Sequence, residues 1–484
     1  MAATVVIPGP GDMNAMNGLK NARNDCTPMV HIAVETDPEV RGGDGIHETP
    51  PDTYDNAVKE NILVENPEAT VAEVERAIAV ARTAPQGPVR VGIPKGFLKQ
   101  EVALADAGTY TTESVADVPG DELAAAADLL ADASDPVVIA GGGVRSSGTA
   151  AAESLVAVAE TLGAPVVTTY KGKGLIPEDH ELSAGVLCGA TSPDLDALVG
   201  ESDAALGVGT DFDAVGTRRW SVPVPADLVH VTMDPEDVGT GYEPAVGIVA
   251  DAGRTLDALA AALEERSVSP ADGAARARAV RAADRERIEA AMVDEPPLTS
   301  VSALSAVHDA VTEDTVVSVD AGGFRLWTLV CFPAAGPRRY VNPGSWATMG
   351  TGVPAAIGAQ LSNPDAPVLA LTGDGGLMMC IHELHTAVSE DLPITVVAFN
   401  NSDYAIISEE AGRSYDLAPG EYDWANAPLD VGAIAEGMGM TATRAATPAE
   451  ISDAVAEALA ADEPRLVEVP TDPAEPQATV HMRE

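Results

Sequence analysis

Two polar segments in the C-terminal part of the chain each follow a run of β-forming residues. "LTGDGGLMMC" places Asp374 among glycines after one such run, and "VVAFNNSDYA" places Asn401 after the next. Apolar residues recur at helical spacing between them, which predicts a strand, a turn, a helix and a second strand. The carboxyl ends of neighbouring parallel strands lie at one edge of a sheet, about 5 Å apart. Both side-chain oxygens could therefore reach one hard cation such as Mg²⁺.

The glycines of the first segment indicate a phosphate ligand next to that cation. Gly373, Gly375 and Gly376 lack Cβ atoms, so a tight turn over residues 373–376 would let backbone N–H groups approach a phosphate. The N-terminus of the following helix would favour its negative charge. Either segment alone is more often an ordinary loop. Together they predict Mg²⁺ bridging a diphosphate.

Short β-branched runs alternate with alanine-rich helical segments along the chain, a pattern typical of parallel α/β domains. We predict an α/β protein with three doubly wound parallel-sheet domains, the first incomplete, at residues 1–108, 121–265 and 299–484. The linker at 266–298 carries a charged, solvated helix. The predicted strands are residues 5–7, 29–34, 89–93, 137–140, 166–169, 204–208, 228–232, 368–372 and 394–399, and a further helix is predicted at 70–84.

The strongly negative net charge argues against nucleic acid as a partner. Asp and Glu number 75 against 28 Lys and Arg, a net charge of −47, yet 46% of the residues are apolar, so the acidic residues must cover folded surfaces. Such a surface is typical of a salt-rich cytoplasm, where screening tolerates like charges, although an ordinary acidic protein is the alternative. We expect no nucleic acid partner, because binding one needs concentrated cations.

The four cysteines have no paired spacing, which predicts free thiols rather than a zinc cluster or a disulfide framework. No apolar stretch reaches the roughly eighteen residues of a membrane span. The N-terminus also lacks the charged and apolar regions of a signal peptide. We therefore expect a cytoplasmic protein with no membrane partner.

The spacing of the two polar segments matches a known fingerprint. Between "GDG" and "NN" lie 24 residues, 376–399, and this pattern resembles the thiamine-diphosphate motif. "NPGSWATMGTGVPAAIGAQL" resembles the catalytic domain of the acetolactate synthase and benzoylformate decarboxylase group. "PVVIAGGGVRSSG" and "MDPEDVG" are similar to the central domain of acetolactate synthases, and "IPGPGDMNAMNGLKNARNDCTPMVHIA" to the second half of their pyrimidine-binding domain. The resemblance covers nearly the whole chain and implies the thiamine-diphosphate-binding fold.

This resemblance implies a role for each matching residue. Asp374, the side chain of Asn401 and the backbone carbonyl of Asp403 would bind Mg²⁺, while Gly373, Gly375 and Gly376 would cradle the diphosphate of thiamine diphosphate. Met349 would be the apolar wedge that bends the cofactor, and the carbonyl of Ala347 would hold its amino group. Gly322 is also expected among the cofactor-binding residues. Met349 as ordinary core packing is the alternative.

Three departures from the family pattern limit what the resemblance implies. We expect the chain to begin after the glutamate that activates the cofactor, which would slow carbanion formation. "SEEAGRS", with Glu409 and Glu410, stands where acetolactate synthases have substrate-contacting aromatic and glutamine residues. The glycines at 141–143 and 148 follow a strand as a nucleotide loop would, but Thr210-Asp211 replaces a basic residue of flavin-binding relatives. FAD is therefore a possible but doubtful cofactor.

The resemblance implies decarboxylation of a small 2-oxo acid followed by carboligation, as in acetolactate synthases of branched-chain amino acid biosynthesis. Two alternatives stay open: a simple decarboxylase of the benzoylformate type, and a cofactor-binding but inactive partner chain. The resemblance also implies a homodimer or tetramer, because the family's site forms between two subunits.

Overall fold

A computed structural model describes residues 1–43, 47–50, 52–103, 117–417 and 423–484. The chain divides into two compact units. The first contains Met1–Asp117 together with Gly344–Thr348, and the second contains Val118–Pro343 and Met349–Glu484. The second unit holds two separate sheets, so the described chain has three parallel sheets in all. The predicted α/β class with three parallel-sheet domains is confirmed, and the first sheet is the small one.

The first unit is a four-stranded parallel sheet with the order β1-β2-β4-β3. Its strands are β1 (Ala2–Val6), β2 (Met29–Glu35), β3 (Glu60–Leu63) and β4 (Pro88–Pro94), and its α-helices are α1 (Pro10–Asn24) and α2 (Thr70–Arg82). Short 3-10 helices lie at Pro38–Val40, Pro67–Ala69 and Phe97–Lys99. The three predicted strands and the predicted helix are present within a few residues. β3 and α1 were not predicted, because neither carries a strong apolar repeat.

The first sheet of the second unit has six parallel strands in the order β10-β9-β8-β5-β6-β7. The strands are β5 (Pro136–Ala140), β6 (Val166–Thr169), β7 (Ser183–Leu187), β8 (Ala204–Val208), β9 (Leu228–Thr232) and β10 (Val246–Val249). The helices are α3 (Gly120–Asp132), α4 (Gly142–Ser146), α5 (Thr149–Leu162), α6 (Pro193–Gly200) and α7 (Ala252–Glu264). The four predicted strands are confirmed, whereas the two glycine-containing edge strands, β7 and β10, were missed.

The second six-stranded sheet has the order β12-β11-β13-β14-β16-β15, again all parallel. Its strands are β11 (Val316–Val319), β12 (Tyr340–Val341), β13 (Val368–Gly373), β14 (Ile394–Asn400), β15 (Thr441–Arg444) and β16 (Arg465–Pro470). α8 (Gly273–Ala290) lies before this sheet in the chain, in the linker where a helix was predicted. The helices that follow are α9 (Ser300–His308), α10 (Gly323–Cys331), α11 (Gly352–Ser362), α12 (Asp374–Met379), α13 (Glu383–Ser389), α14 (Ala405–Tyr415), α15 (Val431–Gly437), α16 (Pro448–Leu459) and α17 (Ala478–His481).

The strands that end at the two polar segments are neighbours, as predicted. β13 pairs with β14, and the register places Thr372 opposite Ala398 and Gly373 opposite Phe399. Both strands are buried almost throughout, since helices cover both faces of a parallel sheet. The pairing brings the residues that follow each strand to the same edge of the sheet.

Two local predictions in this unit are wrong. Residues 373–376 do not form a separate tight turn: Gly373 ends the strand in an extended conformation, and α12 begins at Asp374. The single helix expected after it is two helices, because Cys380 leaves helical dihedral angles, with φ of −133°. The extended N-cap glycine lets strand and helix join directly, so no turn residues are needed.

No helix among the described residues is both long enough and apolar enough to cross a membrane.

Candidate functional site

Asp374 is a buried carboxylate at the carboxyl end of β13, with 3% of its surface exposed. Its Oδ2 accepts a hydrogen bond from the Ser402 N–H (2.8 Å), and its Oδ1 accepts one from the Gly375 N–H (2.9 Å). Both donors are neutral. Burial raises the pKa of Asp374 to about 6, and the nearby Asp403 carboxylate adds to the rise. A buried anion with neutral donors gains most from a cation beside it.

The two adjacent asparagines after β14 have different roles. The Asn400 side chain donates to the Leu429 carbonyl (3.0 Å) and to the buried Glu468 carboxylate (2.9 Å), which fixes the strand end to β16. The Asn401 Oδ1 accepts from the Asp403 N–H (3.1 Å) and keeps lone-pair capacity for a second partner. Asn401 is therefore the asparagine with an acceptor left for a ligand, and its role as a magnesium ligand stays a prediction.

Asp403 lies in a short loop tied down on both sides. Its carboxylate accepts from the Ser408 hydroxyl (2.6 Å), and its backbone forms an isolated bridge with Asp423. The next residue, Tyr404, stacks edge-on against Trp424 with ring centroids 4.9 Å apart. These contacts hold the loop that carries Asn401 and Asp403 against the end of β14.

The glycines of the first segment are needed for packing around the site. A Cβ atom on Gly375 would lie 2.4 Å from the Tyr404 ring, and one on Gly376 would lie 2.9 Å from the Asp320 carboxylate. A Cβ atom on Gly373 would meet Phe324 only at 3.6 Å, an ordinary contact distance. Because Gly373 is also the N-cap of α12, the N-cap residue offers no side chain to the first N–H groups of that helix, and the Gly375 N–H bonds to the Asp374 side chain instead. Their role in holding a diphosphate stays a prediction.

A residue that sequence reasoning missed organises the other side of the site. Asp320, at the end of β11, accepts hydrogen bonds from the Gly350 and Thr351 N–H groups, directly after Met349. Met349 itself is partly buried. An aspartate directly after a short buried run, "VVSVD", was the available signal, since Asp374 follows its strand in the same way.

The remaining predicted residues lie at special backbone positions. Ala347 has φ of +50°, the left-handed region that non-glycine residues rarely occupy, and belongs to the segment grouped with the first unit. The neighbouring Trp346 indole donates to Asn17 of α1 (2.7 Å) and holds that segment within the first unit. Gly322, with φ of +154°, is the N-cap of α10.

Glu409 and Glu410 lie on α14, about one turn after the loop that carries Asn401 and Asp403. Both pair with Arg413 on the same helix, Glu409 at 3.4 Å and Glu410 at closer range. The glutamates are about a third and a half exposed. This end of α14 therefore presents an acidic pair that already binds a guanidinium group.

The glycine turn after β5 is closed by a neighbouring loop. A Cβ atom on Gly141 would lie 2.3 Å from the Gly209 carbonyl oxygen, and the Gly143 N–H donates to that same oxygen (2.8 Å). Lys171, beside this turn, interacts with Asp211 at 3.4 Å. The glycines thus serve backbone packing, and the one adjacent lysine faces a carboxylate. These contacts favour a packing role for the glycines over flavin binding.

The residues at the ends of β13 and β14 do fit a magnesium diphosphate. The described residues contain no cluster of three or more His, Cys, Asp or Glu side chains suited to a metal. A site of one carboxylate, one amide oxygen and one backbone carbonyl does not need such a cluster, and these hard oxygen ligands are the ones that Mg²⁺ prefers. The uncompensated Asp374 carboxylate supplies the negative charge.

Comparisons with known proteins agree with this arrangement. Residues 123–259 match the central domain of thiamine pyrophosphate enzymes, and residues 320–469 match their C-terminal TPP-binding domain. The second match begins at Asp320, directly after β11, and contains the ends of β13 and β14.

Three relatives illustrate the similarity along the chain. A probable acetolactate synthase large subunit of Methanocaldococcus jannaschii is 29% identical, covering 96% of this chain and 80% of the relative. The probable acetolactate synthase 2 of Oryza sativa subsp. japonica is 30% identical, over 96% and 72%. A probable 2-ketoarginine decarboxylase of Pseudomonas aeruginosa is 34% identical, over 82% and 70%.

Proposed function

The chain belongs to the thiamine-diphosphate-dependent enzymes of the acetolactate synthase type, and we propose that it decarboxylates a 2-oxo acid and joins the remaining unit to a second 2-oxo acid. The observation that carries the proposal is the buried Asp374 carboxylate, which has neutral donors and lies beside Asn401 within the matched TPP-binding domain. When bound, thiamine diphosphate supplies an electron sink for the loss of CO₂ from a 2-oxo acid.

The chain's own residues would bind and orient that cofactor. Asp374, the Asn401 side chain and the Asp403 carbonyl would hold Mg²⁺, and the backbone at Gly373, Gly375 and Gly376 would cradle the diphosphate at the start of α12. Met349 would pack against the cofactor rings. The Ala347 carbonyl would accept a hydrogen bond from the amino group of the cofactor. As the family resemblance implies, the working form would be a homodimer or tetramer.

We propose that the central domain contributes no flavin to this activity. The support is the closed turn at Gly141 and Gly143, whose backbone packs on Gly209, and the pairing of Lys171 with Asp211. The Gly141 and Gly143 N–H groups already donate to backbone carbonyls, and the Asp211 carboxylate beside Lys171 would repel a pyrophosphate placed there. Titration with FAD, followed by flavin fluorescence, should give no saturable binding, and micromolar binding would contradict the proposal.

A second candidate is decarboxylation of a 2-oxo acid with a cationic side chain. Two observations favour it: the 34% identity with a probable 2-ketoarginine decarboxylase, and the acidic pair Glu409 and Glu410 that binds the guanidinium of Arg413. A guanidinium-bearing substrate would compete with Arg413 for these carboxylates. In this reading the product would be protonated and released without carboligation.

One assay separates the two candidates. The full chain in concentrated KCl, with thiamine diphosphate and Mg²⁺, would be given pyruvate or 5-guanidino-2-oxopentanoate, and the products followed by NMR. Acetolactate from pyruvate supports the synthase. An aldehyde formed only from the guanidino acid, and lost in Glu409→Gln/Glu410→Gln, supports the decarboxylase. Failure to bind the cofactor by calorimetry would contradict both.

A further inference from the structure

A fully buried carboxylate at the end of β11 bonds to the backbone directly after it and to two further segments of the second unit. The Asp320 Oδ2 accepts from the Thr372 hydroxyl at 2.9 Å. Its Oδ1 accepts from three backbone N–H groups, those of Ala321 (2.7 Å), Gly350 (2.9 Å) and Thr351 (3.1 Å). All of these donors are neutral. Burial therefore raises the pKa of Asp320, and only hydrogen bonds from neutral donors oppose the rise.

The bonded segments are the ones that carry the predicted cofactor residues of this unit: Gly322, Met349 and Gly373–Gly376. Asp320 Oδ2 also lies 2.9 Å from the position that a Cβ atom on Gly376 would occupy, so the glycine makes room for the carboxylate. A single side chain thus meets the start of α10, the Met349 segment and the junction of β13 with α12.

On the basis of the proposed function, we infer that Asp320 is the positioning residue of the cofactor site, holding the Met349 segment and the β13–α12 junction in one fixed arrangement. A carboxylate suits this task because its two oxygens accept about four hydrogen bonds, and N–H bonds to a charged acceptor are stronger than neutral ones. An apolar side chain would leave the Gly350 and Thr351 N–H groups without their acceptor inside the protein.

The alternative role for Asp320 is general stabilisation of the fold. Asp320→Asn separates the two roles, because the amide keeps one oxygen for the N–H groups. Its NH₂ group faces Thr372, whose hydroxyl can rotate to accept. Asp320→Ala removes both acceptors. Glu475→Ala is the matched control: it removes another buried carboxylate of the same unit, bonded to the Ser300 N–H and hydroxyl and not part of the cofactor site.

The test is calorimetric binding of two probes to the full chain in concentrated KCl with Mg²⁺: thiamine diphosphate, and inorganic pyrophosphate, which occupies only the β13–α12 side. In Asp320→Ala we expect the affinity for thiamine diphosphate to fall about 10- to 100-fold. The affinity for pyrophosphate should fall less, because pyrophosphate does not depend on the Met349 segment, which this substitution also releases. Asp320→Asn should restore affinity to within about threefold. Glu475→Ala should lower the melting temperature without changing either affinity.

The other outcomes overturn the inference. Equal losses for the two probes would mean that Asp320 does not hold the Met349 segment. A loss in Glu475→Ala as large as in Asp320→Ala would assign the effect to general destabilisation. If Asp320→Ala does not fold, Thr372→Val, which removes one bond, should still weaken thiamine diphosphate binding, and unchanged binding would count against the role. Absence of binding by the wild type would contradict the proposed function instead.

Discussion

Two groups of buried carboxylates, one in each unit, differ in their partners. In the first unit, Asp12 of α1 accepts hydrogen bonds from Arg90 of β4 (2.6 Å) and His31 of β2 (2.9 Å), and Arg90 also pairs with Glu35. At the ends of β11 and β13, Asp320 and Asp374 receive hydrogen bonds from neutral donors.

The pKa directions follow from these partners. Burial alone would raise the pKa of Asp12, but the hydrogen bonds from His31 and Arg90 outweigh burial and lower it. Burial raises the pKa of Asp374 to about 6 because no comparable cationic donor opposes it. An acid already paired with a buried cation has completed its interactions inside the fold. An acid held by neutral donors keeps an unbalanced charge that a ligand cation can neutralise.

The cluster around Arg90 is built on one row of the sheet. The register aligns Thr4, His31, Arg90 and Asn61 across all four strands of the first unit. Both ring nitrogens of His31 form hydrogen bonds, one with the Thr4 hydroxyl and one with the Asp12 carboxylate. Arg90 donates to Asn61 (3.0 Å), and the Arg90 guanidinium lies 4.5 Å from the Tyr54 ring centre. This polar row replaces the apolar packing usual in a parallel sheet, so its stability depends on every partner.

The largest expected effect on stability comes from the acidic surface rather than from either group of buried carboxylates. With a net charge of −47, the protein should lose structure on transfer from molar KCl to dilute buffer, because unscreened repulsion opposes compaction. Far-ultraviolet circular dichroism across a KCl series measures this. A melting curve that does not change with salt would remove the halophilic interpretation.

The second largest effect is expected from removing the cation of the first region. Arg90→Met should destabilise the first unit by about 3–5 kcal/mol, because Asp12 and Glu35 would remain buried without their shared partner. This loss of unfolding free energy should be the same at two different KCl concentrations in the molar range, because salt screens buried pairs much less than exposed ones. Urea unfolding monitored by fluorescence measures it. A cost below about 1 kcal/mol would mean that the two regions do not differ as described.

The matching change in the second region should affect binding rather than stability. Asp374→Ala should abolish Mg²⁺-dependent binding of thiamine diphosphate, and Asp374→Asn should weaken it about 100-fold while leaving the apo protein at least as stable, because an uncompensated buried charge is removed. Calorimetry and urea unfolding of both variants provide the two readouts. Unchanged affinity would refute the metal site.

Glu475 sharpens the comparison, because it is a third buried acid with neutral partners but lies outside the cofactor site. Burial raises its pKa from 4.5 to about 7. The folded state therefore binds this proton more tightly than the unfolded state, and the resulting stability is complete below pH 4.5 and is lost as pH rises through 7.

Glu475→Gln should remove this pH-dependent loss. Between pH 5 and pH 8 the variant should gain up to about 3 kcal/mol of unfolding free energy relative to the wild type. Urea unfolding at the two pH values, at constant KCl, measures the difference. An equal difference between variant and wild type at both pH values would show that Glu475 keeps an ordinary pKa.

The smallest effect separates packing from ligand binding at two glycines. Gly375→Ala should cost about 1–3 kcal/mol, because the new methyl group would press on the Tyr404 ring. Gly373→Ala should fold normally, with ordinary contact to Phe324. If the start of α12 holds the diphosphate, Gly373→Ala should still weaken pyrophosphate binding a few-fold by calorimetry, and unchanged binding would remove Gly373 from the site.

The sequence alone determined the part of the site that depends on local pattern. Two β-forming runs separated by a helical stretch are expected to pair as parallel neighbours, so the sequence predicts Asp374 and Asn401 at one edge of the sheet. The pairing of β13 with β14 confirms this. The prediction of a turn at 373–376 is wrong. The choice between a turn and an immediate helix depends on the dihedral angles of one glycine, Gly373, and the spacing of residue types does not determine them.

Only the tertiary structure decided the roles of Asp320 and Arg90. Asp320 bonds to residues 30 to 52 positions away, and Arg90 bonds to Asp12 across 78 positions. Sequence pattern predicts which residues are buried on a strand or helix, but a buried charged group is stable only with partners that the fold brings from elsewhere. Whether a buried acid is completed by a protein cation or left for a ligand is therefore decided by long-range packing, and local pattern does not encode it.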